Sequence, residues 1–161
     1  SPPPPPVSTL AETGGPKSAP PRPLRIVVYA DTRDGRYATA ICQRLGEPAL
    51  VIEHAGPVAP EATPAERLAA LKDRMAHCDG VLLLYGAGPL AYVEGMAAEA
   101  CQALIDAGRG AQLAVVLLPP TDKSFDCGRY PDCLRLIDCR HGIQYAPLLD
   151  FVADSPRGIV R

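Results

Sequence analysis

Short apolar runs set between amphipathic stretches constrain this chain more than any other feature. Val81-Leu82-Leu83-Leu84 is apolar on both faces that a strand would present, and so is Leu113-Ala114-Val115-Val116-Leu117-Leu118. A strand with one wet face alternates apolar and polar residues; a run apolar on both sides belongs inside a parallel sheet covered by helices above and below. Leu24-Arg25-Ile26-Val27-Val28-Tyr29-Ala30 is a third such run, rich in β-branched residues, and it stops at the polar cluster Asp31-Thr32-Arg33-Asp34-Gly35. Ala49 to Glu53 reads as a shorter strand, and Leu134-Arg135-Leu136-Ile137-Asp138 as a fifth.

The stretches between these runs carry helical spacing. Tyr37, Ile41 and Leu45 fall on one face, and Gly46 closes that helix. Thr63-Pro64-Ala65-Glu66 is the clearest helix start in the chain: threonine caps, proline suits the first turn, and Glu66 stands where a capping box needs it. Leu68, Leu71 and Met75 continue the stripe until Asp79-Gly80. After the turn Gly86-Ala87-Gly88-Pro89, a long helix shows Val93, Met96, Ala97, Ala100, Cys101, Leu104 and Ile105 on one side and ends at Gly108-Arg109-Gly110. Residues 119–133 read as irregular, and Ile143 to Val152 as a last helix burying Leu148, Leu149 and Phe151.

The order β-α-β-α-β-α-β-loop-β-α predicts an α/β, flavodoxin-like three-layer sandwich. Its five-stranded parallel sheet is expected in the order 2-1-3-4-5. Ligands of such sheets sit beyond the carboxyl ends of the strands. Here that rim holds Asp31 to Asp34, Glu53, Tyr85 to Pro89, the segment after Leu118, and Asp138.

Residues 1–22 have a different texture. Nine of the 19 prolines fall in the first 23 residues, with Val7 and Leu10 as the only sizeable apolar side chains before Leu24. Such a stretch cannot bury enough surface to offset its chain entropy, and five successive prolines favour an extended helix. It reads as a proline-rich, disordered linker, so the chain is expected to belong to a multidomain protein. The folded domain is expected over 23–154, with a short tail over 155–161. Acidic and basic residues number 18 and 16, too balanced to draw the chain onto nucleic acid or anionic lipid. No apolar run approaches the ~20 residues of a bilayer span, and no signal peptide is visible. A soluble, cytoplasmic protein without nucleic-acid or membrane partners is expected.

Several chemistries find little support at the rim, although a phosphate-contacting loop after the third strand stays open beside a tight turn. A phospho-acceptor receiver needs an aspartate ending the third strand and a lysine ending the fifth; these strands end in Tyr85 and Asp138. Gly86-Ala87-Gly88-Pro89-Leu90-Ala91 matches a loose G-x-G-x-x-A pattern, but Pro89 removes one of the backbone donors that a pyrophosphate would need. Cys127, Cys133, Cys139 and His141 lack paired zinc-ligand spacing, so no metal is expected; a Cys127–Cys133 disulfide stays open beside reduced thiols. His54, His77 and His141 have no nucleophile at informative spacing, and there is no G-x-S-x-G elbow.

Two segments carry a resemblance. Cys78-Asp79-Gly80-Val81-Leu82-Leu83-Leu84-Tyr85-Gly86, followed by Pro89, Tyr92 and Val93, resembles the centre of Toll/interleukin receptor (TIR) domains. The closer likeness is to a bacterial subgroup found in multidomain conflict and defence proteins, which reads DG-apolar-YG-x-x-P-x-W-V here. Leu134 to Gly142 resembles that subgroup's last strand. The resemblance spans roughly residues 24–153 and implies a flavodoxin-like fold, signalling in bacterial immunity or antiviral defence, and self-association through TIR-like surfaces. Other domains of the same protein would join through the proline-rich linker.

Many TIR domains cleave NAD at its glycosidic bond, using a glutamate four residues after the aromatic in W-C-x-x-E. Its task is to stabilise an oxocarbenium-like transition state. The aromatic aligns with Tyr92, the cysteine with Val93, and the glutamate with Met96. Glu94, nearer the helix start, is the displaced catalytic candidate; Glu99 lies one turn deeper on nearly the face of Met96. The resemblance requires no cofactor and implies NAD as the substrate or ligand, with Asp31, Thr32, Arg33, Tyr85, Gly86 and Tyr92 as its binding residues. Two classes follow: an association module lacking the catalytic charge, favoured because methionine supplies none, and an NAD-cleaving effector working through Glu94. In the first, Leu90 and Tyr92 on the loop Gly86 to Tyr92 are the expected contacts.

Overall fold

The computed structural model describes residues 23–46, 50–55, 63–108, 110–130 and 134–155. The proline-rich stretch 1–22 and residues 156–161 lie outside the described residues, so the expectations for linker and tail concern chain beyond them. Five strands form one parallel sheet: β1 (Leu24–Tyr29), β2 (Leu50–Ala55), β3 (Gly80–Tyr85), β4 (Gln112–Leu117) and β5 (Leu134–Asp138). Their spatial order is β2-β1-β3-β4-β5.

Among the described residues four helices cover the sheet: α1 (Gly35–Leu45), α2 (Pro64–Met75), α3 (Leu90–Ala107) and α4 (Tyr145–Asp154). The alternation of side chains along β1, β3 and β4 sends two apolar sets to opposite faces. Val27, Tyr29, Val81, Leu83, Leu113 and Val115 meet Leu71 and Met75 of α2 and Val93, Ala97, Ala100 and Leu104 of α3. Ile26, Val28, Leu82, Leu84, Ala114 and Val116 meet Ala38, Ile41 and Leu45 of α1 and Leu148 and Phe151 of α4. All six residues of β3 are buried, as a central strand with helices on both faces requires.

Local chemistry fixes the ends of the helices. The Thr63 hydroxyl accepts from Glu66 N–H at 3.1 Å while Glu66 Oε1 accepts from Thr63 N–H at 2.8 Å, a complete capping box with Pro64 in the first turn. Gly108, at φ 64°, ends α3 in the left-handed conformation that favours glycine. Helix α4 begins at Tyr145, two residues later than the apolar pattern suggests, and runs to Asp154. Ile143 still packs against the core, but from the turn before the helix.

Between β4 and β5 the described chain forms no α-helix. A single 3-10 turn, Cys127–Arg129, stands there, with buried Phe125 stacked on Tyr130 at 5.5 Å between ring centroids. This short aromatic patch covers Leu134 but leaves Leu136 43% exposed on the edge strand.

Candidate functional site

The carboxyl ends of β1, β3 and β4 converge on one rim, and two carboxylates of the first loop shape it. Asp31 accepts from Arg33 N–H at 2.9 Å and from its guanidinium at 3.0 and 3.1 Å. These bonds, made to the charged form, lower the Asp31 pKa to about 2. Asp34 is buried at 3% exposure and reaches across to the loop after β3, where Ala87 N–H donates to both of its oxygens at 3.0 Å. That contact explains the glycine next door. A side chain at Gly86 would place its Cβ 2.6 Å from Asp34 Cγ, and one at Gly88 would stand 3.2 Å from Asp31 Oδ2. The G-x-G pattern therefore lets the β1 loop press against the β3 loop. The Ala87 donor is spent on Asp34, and Pro89 lacks one.

The third wall comes from the loop after β4. Lys123 folds back so that its ammonium donates to Leu118 C=O at 2.7 Å and Pro120 C=O at 3.1 Å, lying 5.2 Å from the centre of the Tyr85 ring. It is only 8% exposed, and burial pushes its pKa down against the upward pull of Asp122 and Asp34. Arg140 grips Asp138 through Nε and Nη2, both at 2.9 Å, and donates from Nη1 to Lys123 C=O at 2.8 Å. The guanidinium holds the Asp138 carboxyl far below the ordinary carboxylate range. The loops after β3 and β4 form an open cleft of about 440 Å³ lined by Tyr85, Gly86, Ala87, Gly88, Leu90, Pro120, Asp122, Lys123 and Ser124.

Of the residues expected to bind a nucleotide, Tyr85 and Gly86 line this cleft. Asp31 and Arg33 stand beside it as a closed pair, with Thr32 exposed between them. Tyr92 is half-buried, and its hydroxyl is shut off from solvent with no hydrogen-bond partner among the described residues; burial raises its pKa, helped by the charge of Asp31. The carboxylates on α3 lie elsewhere. Glu94 meets Arg129 at 3.4 Å, accepts at its backbone carbonyl from the Tyr130 hydroxyl at 3.5 Å, and does not line the cleft. Met96 is 6% exposed within the core between α3 and the sheet, and Glu99 is half-buried one turn further on.

Strand-end positions do not point to Lys123. A receiver's lysine would end the fifth strand, whereas Lys123 comes from the loop after the fourth. The only sequence signal is its place shortly after Pro119-Pro120, where a chain turning on a strand end brings a long side chain back over that end. The five described cysteines, Cys42, Cys78, Cys101, Cys127 and Cys139, are free thiols. Among the described residues, no group of three or more His, Cys, Asp or Glu side chains is placed to hold a metal ion. Nor, among them, is any helix long and apolar enough to cross a membrane. No protein-family model matches the chain, and no curated protein shows significant similarity to it.

Proposed function

We propose that this chain is a TIR-like signalling and self-association module of a larger bacterial defence or signal-transduction protein, working without NAD chemistry. One observation carries the reading. The position aligned with the family's glutamate is Met96, packed in the core at 6% exposure, where it offers the rim no negative charge. Glu94, the displaced candidate, is engaged with Arg129 and stands outside the cleft. The flavodoxin-like strand order agrees with the reading without distinguishing it from other folds of that plan.

Association needs exposed apolar surface on the stretch Gly86 to Tyr92, and Leu90 provides it at 40% exposure on the first turn of α3. Sedimentation velocity of the full chain over a concentration series tests the proposal. A weight-average sedimentation coefficient that rises with concentration, and stops rising in Leu90→Asp, is the expected result. A monomer at every concentration, or association unchanged in Leu90→Asp, would overturn the proposed contact.

A further inference from the structure

We infer that the cleft between the ends of β3 and β4 is a binding site for a small oxyanion-bearing molecule, its phosphate or carboxylate received by the Lys123 ammonium. This goes beyond the association reading and does not rest on it. Lys123 is 8% exposed, and buried ammonium groups are ordinarily neutralised by a carboxylate in contact. Among the described residues Lys123 has no such partner. Its contacts are the carbonyls of Leu118 and Pro120 and the face of the Tyr85 ring, which solvate the charge without cancelling it. Two carbonyls also leave one of the three ammonium donors unused.

The other rim cations are committed: Arg33 to Asp31, and Arg140 to Asp138. Asp34 faces Lys123 from the β1 loop and Asp122 from the lysine's own loop. Both act on it through space from beyond ion-pair contact, and Asp34 directs both oxygens at Ala87 N–H. The start of α3 adjoins the same cleft through Gly88 and Leu90, and no side chain caps it, so its positive end adds to the field. The Ser124 hydroxyl on the lining offers a further donor. A volume of about 440 Å³ is in the range of small-molecule pockets and exceeds what a single phosphate fills.

The test is an amide NMR titration of the full chain with inorganic pyrophosphate, phosphate and acetate at constant ionic strength. Saturable shifts at Gly88, Leu90, Lys123 and Ser124 are expected from at least one of these anions. Binding by pyrophosphate or phosphate alone assigns a phosphoryl ligand, and binding by acetate alone a carboxylate. Lys123→Gln should weaken binding at least about tenfold, the worth of one charge-assisted hydrogen bond, while Lys123→Arg retains it. Should Lys123→Gln fail to fold, Asp122→Asn serves instead: removing the exposed negative charge on the cleft should tighten binding about two- to fivefold. No saturable shift with any of the three anions, undiminished binding in folded Lys123→Gln, or unchanged or weaker binding in Asp122→Asn would overturn the assignment.

Discussion

Asp34 and Gly86 show how one residue dictates another across 52 positions of chain. Burial of the carboxylate and its bonds to Ala87 N–H bring it so close to Gly86 that no Cβ fits between them. Gly86→Ala should therefore destabilise the fold by about 1–3 kcal/mol, the usual cost of overpacking. Asp34→Ala should cost about 1–2 kcal/mol through the lost hydrogen bonds. The double variant should cost less than the sum, because removing the carboxylate makes room for the new methyl; denaturant titration of all four proteins measures this coupling, and strict additivity would contradict it. Tyr29 yields a pH prediction. Burial raises its pKa to about 12 against an ordinary 10.0, with the Arg74 guanidinium opposing. A phenol held neutral in the fold favours the folded state fully below pH 10.0, and that contribution is lost as pH rises through about 12. Tyrosinate absorbance should show Tyr29 as the latest of the late-titrating tyrosines, and Tyr29→Phe should remove that last step while those of Tyr92 and Tyr130 remain.

The elements were legible where their physics is local. Thr63-Pro64-Ala65-Glu66 names a helix start by its own side chains, and the capping box forms as those residues dictate. Thr63→Ala should accordingly cost about 1 kcal/mol in chemical denaturation, since the Glu66 N–H loses its acceptor. The doubly apolar runs of β3 and β4 likewise announce buried strands, because no other environment suits them. The apolar pattern starts α4 two residues early because Ile143 fits it while sitting in the preceding turn, a distinction periodicity cannot make. The rim was legible only in outline. Strand ends located Tyr85, Gly86 and Asp31, but which side chains turn back over the sheet depends on contacts between loops far apart in sequence. Lys123 meeting Tyr85, and Glu94 turning to Arg129, are contacts between residues 38 and 35 positions apart.

For the whole molecule, the question is whether this α/β layer arrangement carries chemistry or only surfaces. Glycosidic cleavage of NAD needs a carboxylate beside the forming oxocarbenium ion. Three carboxylates at the rim are occupied, Asp31 by Arg33, Asp34 by Ala87 N–H and Asp138 by Arg140, while Asp122 stands exposed on the cleft beyond ion-pair contact with Lys123. Met96 is in the core, and a glutamate there would bury a charge among the apolar side chains of α3 and the sheet. Met96→Glu is thus expected to destabilise the fold rather than to create a nucleosidase. The most direct measurement incubates the full chain with NAD at high concentration, with and without a fused oligomeriser, and follows nicotinamide release by chromatography. Release no faster than in buffer, in both states, is the predicted result. Release that appears on clustering and disappears in Glu94→Gln would contradict the proposal and make this chain an NAD-cleaving enzyme.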